Sequence, residues 1–113
     1  MAFDNSFQVL GMAQRAAAQA VRLVQGVGGR LGSVADQVVR ASVSVPLNLA
    51  EGAGRSGKDR MQHYRVAYGS ACEASAGVAL LQALGAVDAS GAGAVLGLLD
   101  QVQAITWRLT HPR

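Results

Sequence analysis

The sequence predicts an all-α protein, an antiparallel up-down-up-down four-helix bundle whose second helix is kinked by a proline. Apolar residues recur at steps of three and four along the whole chain, and no run of strict alternation typical of strands occurs. Glycine clusters divide this pattern into four segments, each about 20 residues long. Short turns between such segments favour antiparallel neighbours.

The length of 113 residues predicts one domain, spanning 1–113. Half of the chain is hydrophobic but only 4% is aromatic, so the apolar bulk consists of alanine, valine and leucine. Such small side chains suit closely packed helices and bury less area per residue than aromatic rings do. We therefore expect a marginally stable monomer that gains stability by association.

Helix one is predicted from about Phe7 to Val27, with the glycine cluster of residues 26–32 ending it. Helix two follows Ser33, because Ser33-x-x-Asp36 has the form of a capping box. Its apolar stripe steps alternately by three and four residues, which indicates a buried helix face. The stripe consists of Leu31, Val34, Val38, Ser42, Val45 and Leu49.

Pro46 lies inside this stripe. Proline lacks an amide hydrogen and presses on the carbonyl four residues earlier, so a kink is expected near Ser42. The hydroxyls of Ser42 and Ser44 are close enough in sequence to satisfy the freed carbonyl. Helix two is expected to end at Gly52 or Gly54. Helix three should then run from about Gly57 to Leu84, where Gly85 stops it, and helix four from about Ser90 to Leu109.

Residues 52–59, GAGRSGKD, come one residue short of a phosphate-binding P-loop. Lys58 matches that motif, but Asp59 stands where a magnesium-binding hydroxyl is needed. A working P-loop also follows a strand, whereas a helix is predicted before this stretch. Ser56 and Asp59 instead fit the start of helix three, with Ser56 as its cap. The P-loop match is therefore accidental, and no catalytic residue, metal site or cofactor is predicted.

The single cysteine, Cys72, excludes an internal disulfide and fits a reducing cytoplasm. With two histidines as its only companions, it does not form a metal-binding pattern. The apolar stretch from Ala74 to Leu99 is interrupted by polar residues and glycines, so no uninterrupted run reaches the roughly 20 residues of a membrane span. We expect a cytoplasmic protein with no membrane partner.

The formal net charge is +3, from ten basic and seven acidic residues. In the predicted topology the turn between helices two and three and the C-terminus share one end of the bundle. This end, the basic pole, is a candidate docking surface for nucleic-acid phosphates; the alternative is a solvated helix end that keeps the protein soluble. No aromatic residue is interleaved with these arginines, which predicts no platform for base stacking and weak sequence specificity. The basic pole comprises Arg55, Lys58, Arg60, Arg108 and Arg113, and Arg15 and Arg22 add a basic line on helix one.

Helix two also carries a polar stripe with steps of four, four, three and four: Arg40, Ser44, Asn48, Glu51 and Arg55. On helix three, small residues surround a glutamate at positions 69, 70, 73 and 77, where another backbone can approach closely. This placement favours a structural contact, for example an ion pair between Glu73 and Arg40, over a catalytic role.

The stretch RASVSVPLNLAEG (residues 40–52), together with GSACE (residues 69–73), resembles the family of small bacterial four-helix-bundle proteins encoded in intervening sequences of 23S ribosomal RNA genes. That family includes the accessory variability proteins of diversity-generating retroelements. Matching motif positions are assigned to fold and assembly: Arg40, Ser42, Ser44, Pro46, Asn48, Glu51, Gly52, Gly69, Ser70 and Glu73.

The resemblance implies a ring-like homopentamer of antiparallel bundles and no enzymatic activity. In the retroelement relatives a basic surface contacts nucleic acid and a reverse transcriptase, which makes both candidate partners here. Two features depart from the family pattern: helix one lacks a tryptophan, and the turn before helix two reads GVGGRLG. The first hypothesis is thus a non-enzymatic oligomer that binds RNA or DNA phosphates with low specificity. The alternative is a protein–protein scaffold or accessory subunit without nucleic-acid binding.

Overall fold

The computed structural model describes residues 5–112, and their side chains from residue 8 onward. This part of the chain contains four α-helices and one short 3-10 helix and has no strand, so the predicted all-α bundle is confirmed. It measures 45 × 23 × 20 Å. The helices are α1 (Asn5–Leu23), α2 (Gly32–Ala53), α3 (Gly57–Ala83) and α4 (Ala89–Thr110), with the 3-10 helix at Gly29–Leu31.

Each helix packs mainly against two others, because α1 and α3 both lie between α2 and α4. The contacts between α2 and α3 run in opposite directions along the two helices. Val38 approaches Gly77, and further along α2 Ser44 reaches back to Ser70. These two helices are therefore antiparallel, while the up-down-up-down course of the whole chain stays a prediction.

The core consists mostly of alanine and valine contributed by all four helices. Its largest fully buried side chains are Leu49, Leu81 and Leu99. Tyr64 is the aromatic residue in this core, and it is 5% exposed. Small side chains allow the helices to approach closely. Because such an interior is densely packed, a change in the volume of one side chain is expected to affect stability.

Two of the predicted helix caps differ from the structure. α2 begins at Gly32 rather than after Ser33, because the 3-10 helix leads directly into it and Leu31 occupies the cap position. Ser56 does occupy the cap position of α3, in an extended conformation, but its side chain makes no capping hydrogen bond. α4 has a cap that the sequence reasoning missed: the Oδ2 atom of Asp88 accepts a hydrogen bond from the Gly91 amide at 2.7 Å.

Gly85 ends α3, as predicted. Its φ of +70° lies in the left-handed region that glycine adopts at little cost. The amide of Ala86 donates to the Leu81 carbonyl at 2.9 Å, and the amide of Gly85 donates to the Gln82 carbonyl at 3.0 Å. This pair of hydrogen bonds is the Schellman motif, which satisfies carbonyls left free at the end of a helix.

Pro46 lies inside α2, which continues from Gly32 to Ala53 without interruption. The predicted kink stays a prediction. The hydroxyl of Ser42 is buried and makes no hydrogen bond with the described residues, whereas the Ser44 hydroxyl lies 2.9 Å from that of Ser70. The expectation that these two serines satisfy the carbonyl freed by Pro46 is therefore wrong, because packing turns Ser44 toward α3.

The stretch that resembles a P-loop connects two helices. α2 ends at Ala53 and α3 begins at Gly57, so the strand that a P-loop requires is absent here. Gly52 serves packing instead, since a Cβ atom there would lie 2.7 Å from Cε1 of Tyr64 and 3.1 Å from Cβ of His63.

We expect Gly52→Ala to destabilise the fold by about 1–3 kcal/mol, because the added methyl group overlaps a buried tyrosine ring. Gly97→Ala is the matched control, since Gly97 also lies in a helix and a Cβ atom there meets nothing within 4 Å. The control should raise stability by about 0.5–1 kcal/mol through helix propensity. Urea denaturation at fixed protein concentration measures both changes, and equal effects of the two substitutions would refute the packing role of Gly52.

Candidate nucleic-acid interface

Arg55 is held by both carboxylates of the α2–α3 turn. Its Nε atom donates to Oε2 of Glu51 at 3.1 Å, and its Nη1 atom donates to Oδ2 of Asp59 at 2.8 Å. Hydrogen bonds with Asp59 and then Glu51 raise the pKa of Arg55 above its ordinary value. Two negative charges therefore surround one positive charge, and Arg55 is a poor candidate for phosphate contact.

Arg60 is also engaged within the chain. Its Nε atom donates to the Gly52 carbonyl at 3.1 Å, and its Nη2 atom donates to the Ala53 carbonyl at 3.3 Å. These carbonyls belong to the last turn of α2, which lacks partners within the helix and carries partial negative charge. Arg60 thus closes the end of α2 while its guanidinium remains exposed.

Four other predicted cations are exposed and make no ion pair with a described residue: Arg15, Arg22, Lys58 and Arg108. Lys58 lies in the first turn of α3, and Arg108 in the last turn of α4. Arg22 instead lies near the start of α4, in a shallow groove beside Gly91. The predicted basic line of Arg15 and Arg22 on α1 therefore leads away from the α2–α3 turn. The remaining predicted cation, Arg113, lies outside the described residues.

A shallow groove of about 460 Å³ lies between α3 and α4. Tyr68, Trp107 and Arg108 are among the residues that line it. The indole of Trp107 is 48% exposed. An aromatic surface therefore does lie beside a cation, and the expectation that none is available for base stacking is wrong. In the sequence, the direct succession of Trp107 and Arg108 was the feature that could have predicted this aromatic surface.

Trp107 is held in place by a second ring. His111 stacks on the indole with a centroid distance of 4.0 Å and an angle of 15° between the planes. The imidazole is fixed in turn by contacts of its Nδ1 atom with the Trp107 carbonyl at 2.8 Å and the Thr110 hydroxyl at 3.0 Å. The last turn of α4 therefore presents an ordered aromatic pair.

The floor of the groove is also ordered. Nε2 of Gln103 donates to the Ser75 hydroxyl at 2.7 Å, and the Cys72 thiol donates to Oε1 of Gln103 at 3.6 Å. Interaction with the Cys72 side chain, first by hydrogen bonding and then by charge, raises the pKa of Tyr68 above its ordinary value of 10.0. The ordinary value already keeps the Tyr68 phenol neutral at physiological pH, and the raised pKa acts in the same direction.

A chain of hydrogen bonds joins α2 to α3 among the motif residues. The hydroxyls of Ser44 and Ser70 lie 2.9 Å apart, and Nδ2 of Asn48 donates to the Ser44 hydroxyl at 3.0 Å. The other end of the amide, Oδ1 of Asn48, lies 3.1 Å from Nδ1 of His63. His63 thus contacts an amide and not a hydroxyl or thiol that it would activate as a nucleophile.

Arg40 and Glu73 do not form the ion pair that the sequence predicted. Both side chains are exposed, and the ion pairs found among the described residues both involve Arg55. Packing between α2 and α3 turns these two charges outward. Gly69 is exposed as well, and a Cβ atom there would meet nothing within 4 Å.

Within residues 5–112, groups of three or more side chains suited to holding a metal ion are absent. No helix in that range has the length and hydropathy of a membrane span. The surface of the described residues carries exposed cations, exposed large hydrophobic side chains and a groove lined by Tyr68 and Trp107.

Fold and surface together define a small four-helix-bundle protein with cationic side chains at the α2–α3 turn and along an aromatic groove. The chain belongs to the family of 23S rRNA-intervening sequence proteins, whose family model matches residues 5–108. The predicted family resemblance is thereby confirmed.

A solved structure shares this fold. It is the crystal structure of a protein with unknown function from the S23 ribosomal protein family of Bacteroides thetaiotaomicron VPI-5482. The two chains are 13% identical and superpose with a TM-score of 0.85 over 96% of this chain and 100% of the other. At this identity the likeness concerns the fold alone. No curated protein matches the chain.

The hydrogen bond between Ser44 and Ser70 should contribute measurably to the packing of α2 against α3. In a double-mutant cycle of Ser44→Ala and Ser70→Ala, we expect a coupling energy of about 0.5–1.5 kcal/mol in the free energy of unfolding. A second cycle that combines Ser70→Ala with the exposed and distant Ser33→Ala should give a coupling near zero. Urea denaturation measures all variants, and additive effects at Ser44 and Ser70 would contradict the assignment.

Proposed function

We propose that this protein is a non-enzymatic, cytoplasmic oligomer that binds RNA or DNA through phosphates, with low sequence specificity. The contact surface is the part of the basic pole around Lys58, Arg60 and Arg108. The observation that carries the proposal is the distribution of charge in the α2–α3 turn. Both carboxylates of the turn contact Arg55, so neither of them pairs with Lys58 or Arg60.

The binding chemistry follows from these cations. Exposed lysine and arginine side chains attract phosphates and release condensed counterions, which makes affinity dependent on salt and largely independent of sequence. The overall charge of +3 supports such an interaction without strong attraction to every polyanion.

We expect the double variant Lys58→Ala/Arg108→Ala to bind a single-stranded oligonucleotide more weakly, by about fivefold per lost phosphate contact near 0.1 M salt. The slope of log affinity against log salt should become shallower by about 0.7 for each contact. Anisotropy of a labelled RNA and of a DNA of the same sequence, measured over a salt series, reports both quantities.

Arg30→Ala is the control for this measurement; it removes one positive charge where the double variant removes two, so the losses are compared per removed charge. Arg30 is exposed and carries the same charge, but it precedes α2, whose 22 residues place it about 33 Å from the α2–α3 turn. The control should leave affinity and salt slope nearly unchanged. Equal losses in log affinity per removed charge would indicate a nonspecific effect of net charge, and wild-type protein that binds nothing at low salt would disprove the proposal.

The proposed self-association uses the outer face of α2 and α3. Of the exposed large hydrophobic residues among those described, all but Trp107 lie on these two helices or, for Leu84, at the C-terminal cap of α3. The outward charges of Arg40 and Glu73 are opposite in sign, so two copies can pair them across an interface. We propose that further copies of this chain cover the face, as in the homopentamer that the resemblance implies. The face, called the α2–α3 face below, comprises Val43, Leu47, Val66, Leu80 and Leu84, with Gly69 among them.

The same face supports a second candidate function. An exposed apolar surface larger than scattered single residues is typical of sites that bind proteins. A scaffold or accessory subunit that binds a reverse transcriptase or another protein there would need no nucleic-acid contact of its own. The salt series above separates the two candidates, because only the first predicts oligonucleotide binding by the isolated protein.

We expect Leu47→Glu to weaken self-association at least tenfold, because burial of a leucine contributes about 1.5–3 kcal/mol. Leu47 is 63% exposed in the single chain, so the fold should tolerate the change. Ala94→Glu, at an exposed position of α4, is the control with the same added charge. Light scattering coupled to gel filtration measures the mass of each variant, and a monomeric wild type at tens of micromolar would exclude the oligomer.

A further inference from the structure

The groove between α3 and α4 combines three properties that are not found together at Lys58 or Arg60. It contains an exposed aromatic ring, a cation beside that ring and polar groups held in fixed positions. Its volume of about 460 Å³ falls within the roughly 300–1,000 Å³ typical of small-molecule sites. An aromatic ring can stack on a flat, uncharged ring of a ligand, and the neighbouring cation can bind an anion attached to that ring.

We propose that the groove receives an unpaired base of a single-stranded RNA or DNA, which stacks on Trp107 while its phosphate contacts Arg108. This inference rests on the proposed function and adds to it a preference for single strands over duplexes. In a duplex the faces of the bases are stacked on their neighbours, so an indole has access to them only in unpaired segments.

The stacking surface is ordered before any ligand arrives. His111 covers part of the indole, and its own ring is fixed by two hydrogen-bonding contacts. Trp107 nevertheless keeps 48% of its surface exposed. A ring that is already oriented loses little side-chain freedom when a base stacks on it, so less of the binding energy is lost to ordering.

Charge around the groove favours an anionic strand. Arg108 lines the groove, and Arg65 precedes Tyr68 by one turn on α3 and is exposed. The nearest acidic residue on this side of α4 is Asp100, about two turns before Trp107. One cation therefore lines the groove, a second cation and one carboxylate lie one to two turns from its lining residues, and Tyr68 contributes an uncharged phenol.

The groove and the α2–α3 face lie on different sides of α3. Tyr68 and Gly69 are consecutive in the helix, so their positions differ by about 100° around the helix axis. Copies of this chain that cover the α2–α3 face can therefore leave the groove open. Lys58 lies in the first turn of α3 and Arg108 in the last turn of α4. A nucleic-acid strand that contacts both side chains would therefore pass close to the groove.

Trp107 is the single tryptophan of the chain, so its fluorescence reports directly on the groove. Titration of the full-length protein with a mixed-sequence single-stranded RNA or DNA should quench the emission in a saturable way. A duplex of the same sequence should quench weakly, and the free mononucleotide should need far higher concentrations. Quenching by the mononucleotide at the concentrations at which the strand quenches would overturn the inference, because the occupant would then be a free nucleotide.

Trp107→Ala should weaken single-strand binding about 10- to 100-fold, as expected for loss of stacking on one base, and leave duplex binding and the salt slope unchanged. Trp107→Phe retains a smaller ring and should recover part of the affinity. Labelled oligonucleotides measure these variants, and circular dichroism confirms that each is folded. If the alanine variant loses structure, the comparison of Trp107→Phe with wild type decides the question.

The outcomes separate this inference from the function on which it rests. Equal binding of single strands and duplexes, with Trp107 emission unchanged and Trp107→Ala without effect, overturns the stacking site and leaves phosphate binding intact. Absence of all oligonucleotide binding at low salt overturns both.

Discussion

Close contact between α2 and α3 is the constraint on which the other features of this protein depend. The two helices approach where side chains are missing: Gly52 leaves room for the ring of Tyr64, and a Cβ atom at Gly77 would lie 2.6 Å from Cγ2 of Val38. These two contacts lie near opposite ends of α2 and fix the register of the pair. With the register fixed, Ser44 can only meet Ser70, and the end of α2 lies within reach of Arg60.

The same register decides which charges are available to a ligand. In the turn, Arg55 contacts one carboxylate at the end of α2 and one at the start of α3, and their negative charges offset its positive charge. Lys58 is left without such a partner among the described residues, although it lies only three positions away. Counting basic residues along the sequence therefore overstates the cationic surface at this end. Pairing in space, and not composition, determines the potential that a phosphate meets.

The structure assigns different roles to different sides of α3. Its contacts with α2 bury Tyr64 and hold the chain of polar side chains, while its side facing α4 forms the groove that contains Tyr68. A third side carries Val66 and Gly69, which the single chain leaves exposed. A helix that serves a core, a groove and an outer face at once has no single apolar stripe.

The sequence by itself determined the number of helices, their class and the glycine that ends α3, because helix period and turn chemistry are local properties of the chain. It also identified the family, through the motif around Pro46. It failed where an outcome depends on the rotation of one helix against another. Arg40 and Glu73 were expected to pair and instead face outward, and Trp107 was not recognised as an exposed ring beside a cation. Only the tertiary structure decided these points, because rotation and register follow from how the glycines and small side chains of two distant segments fit together.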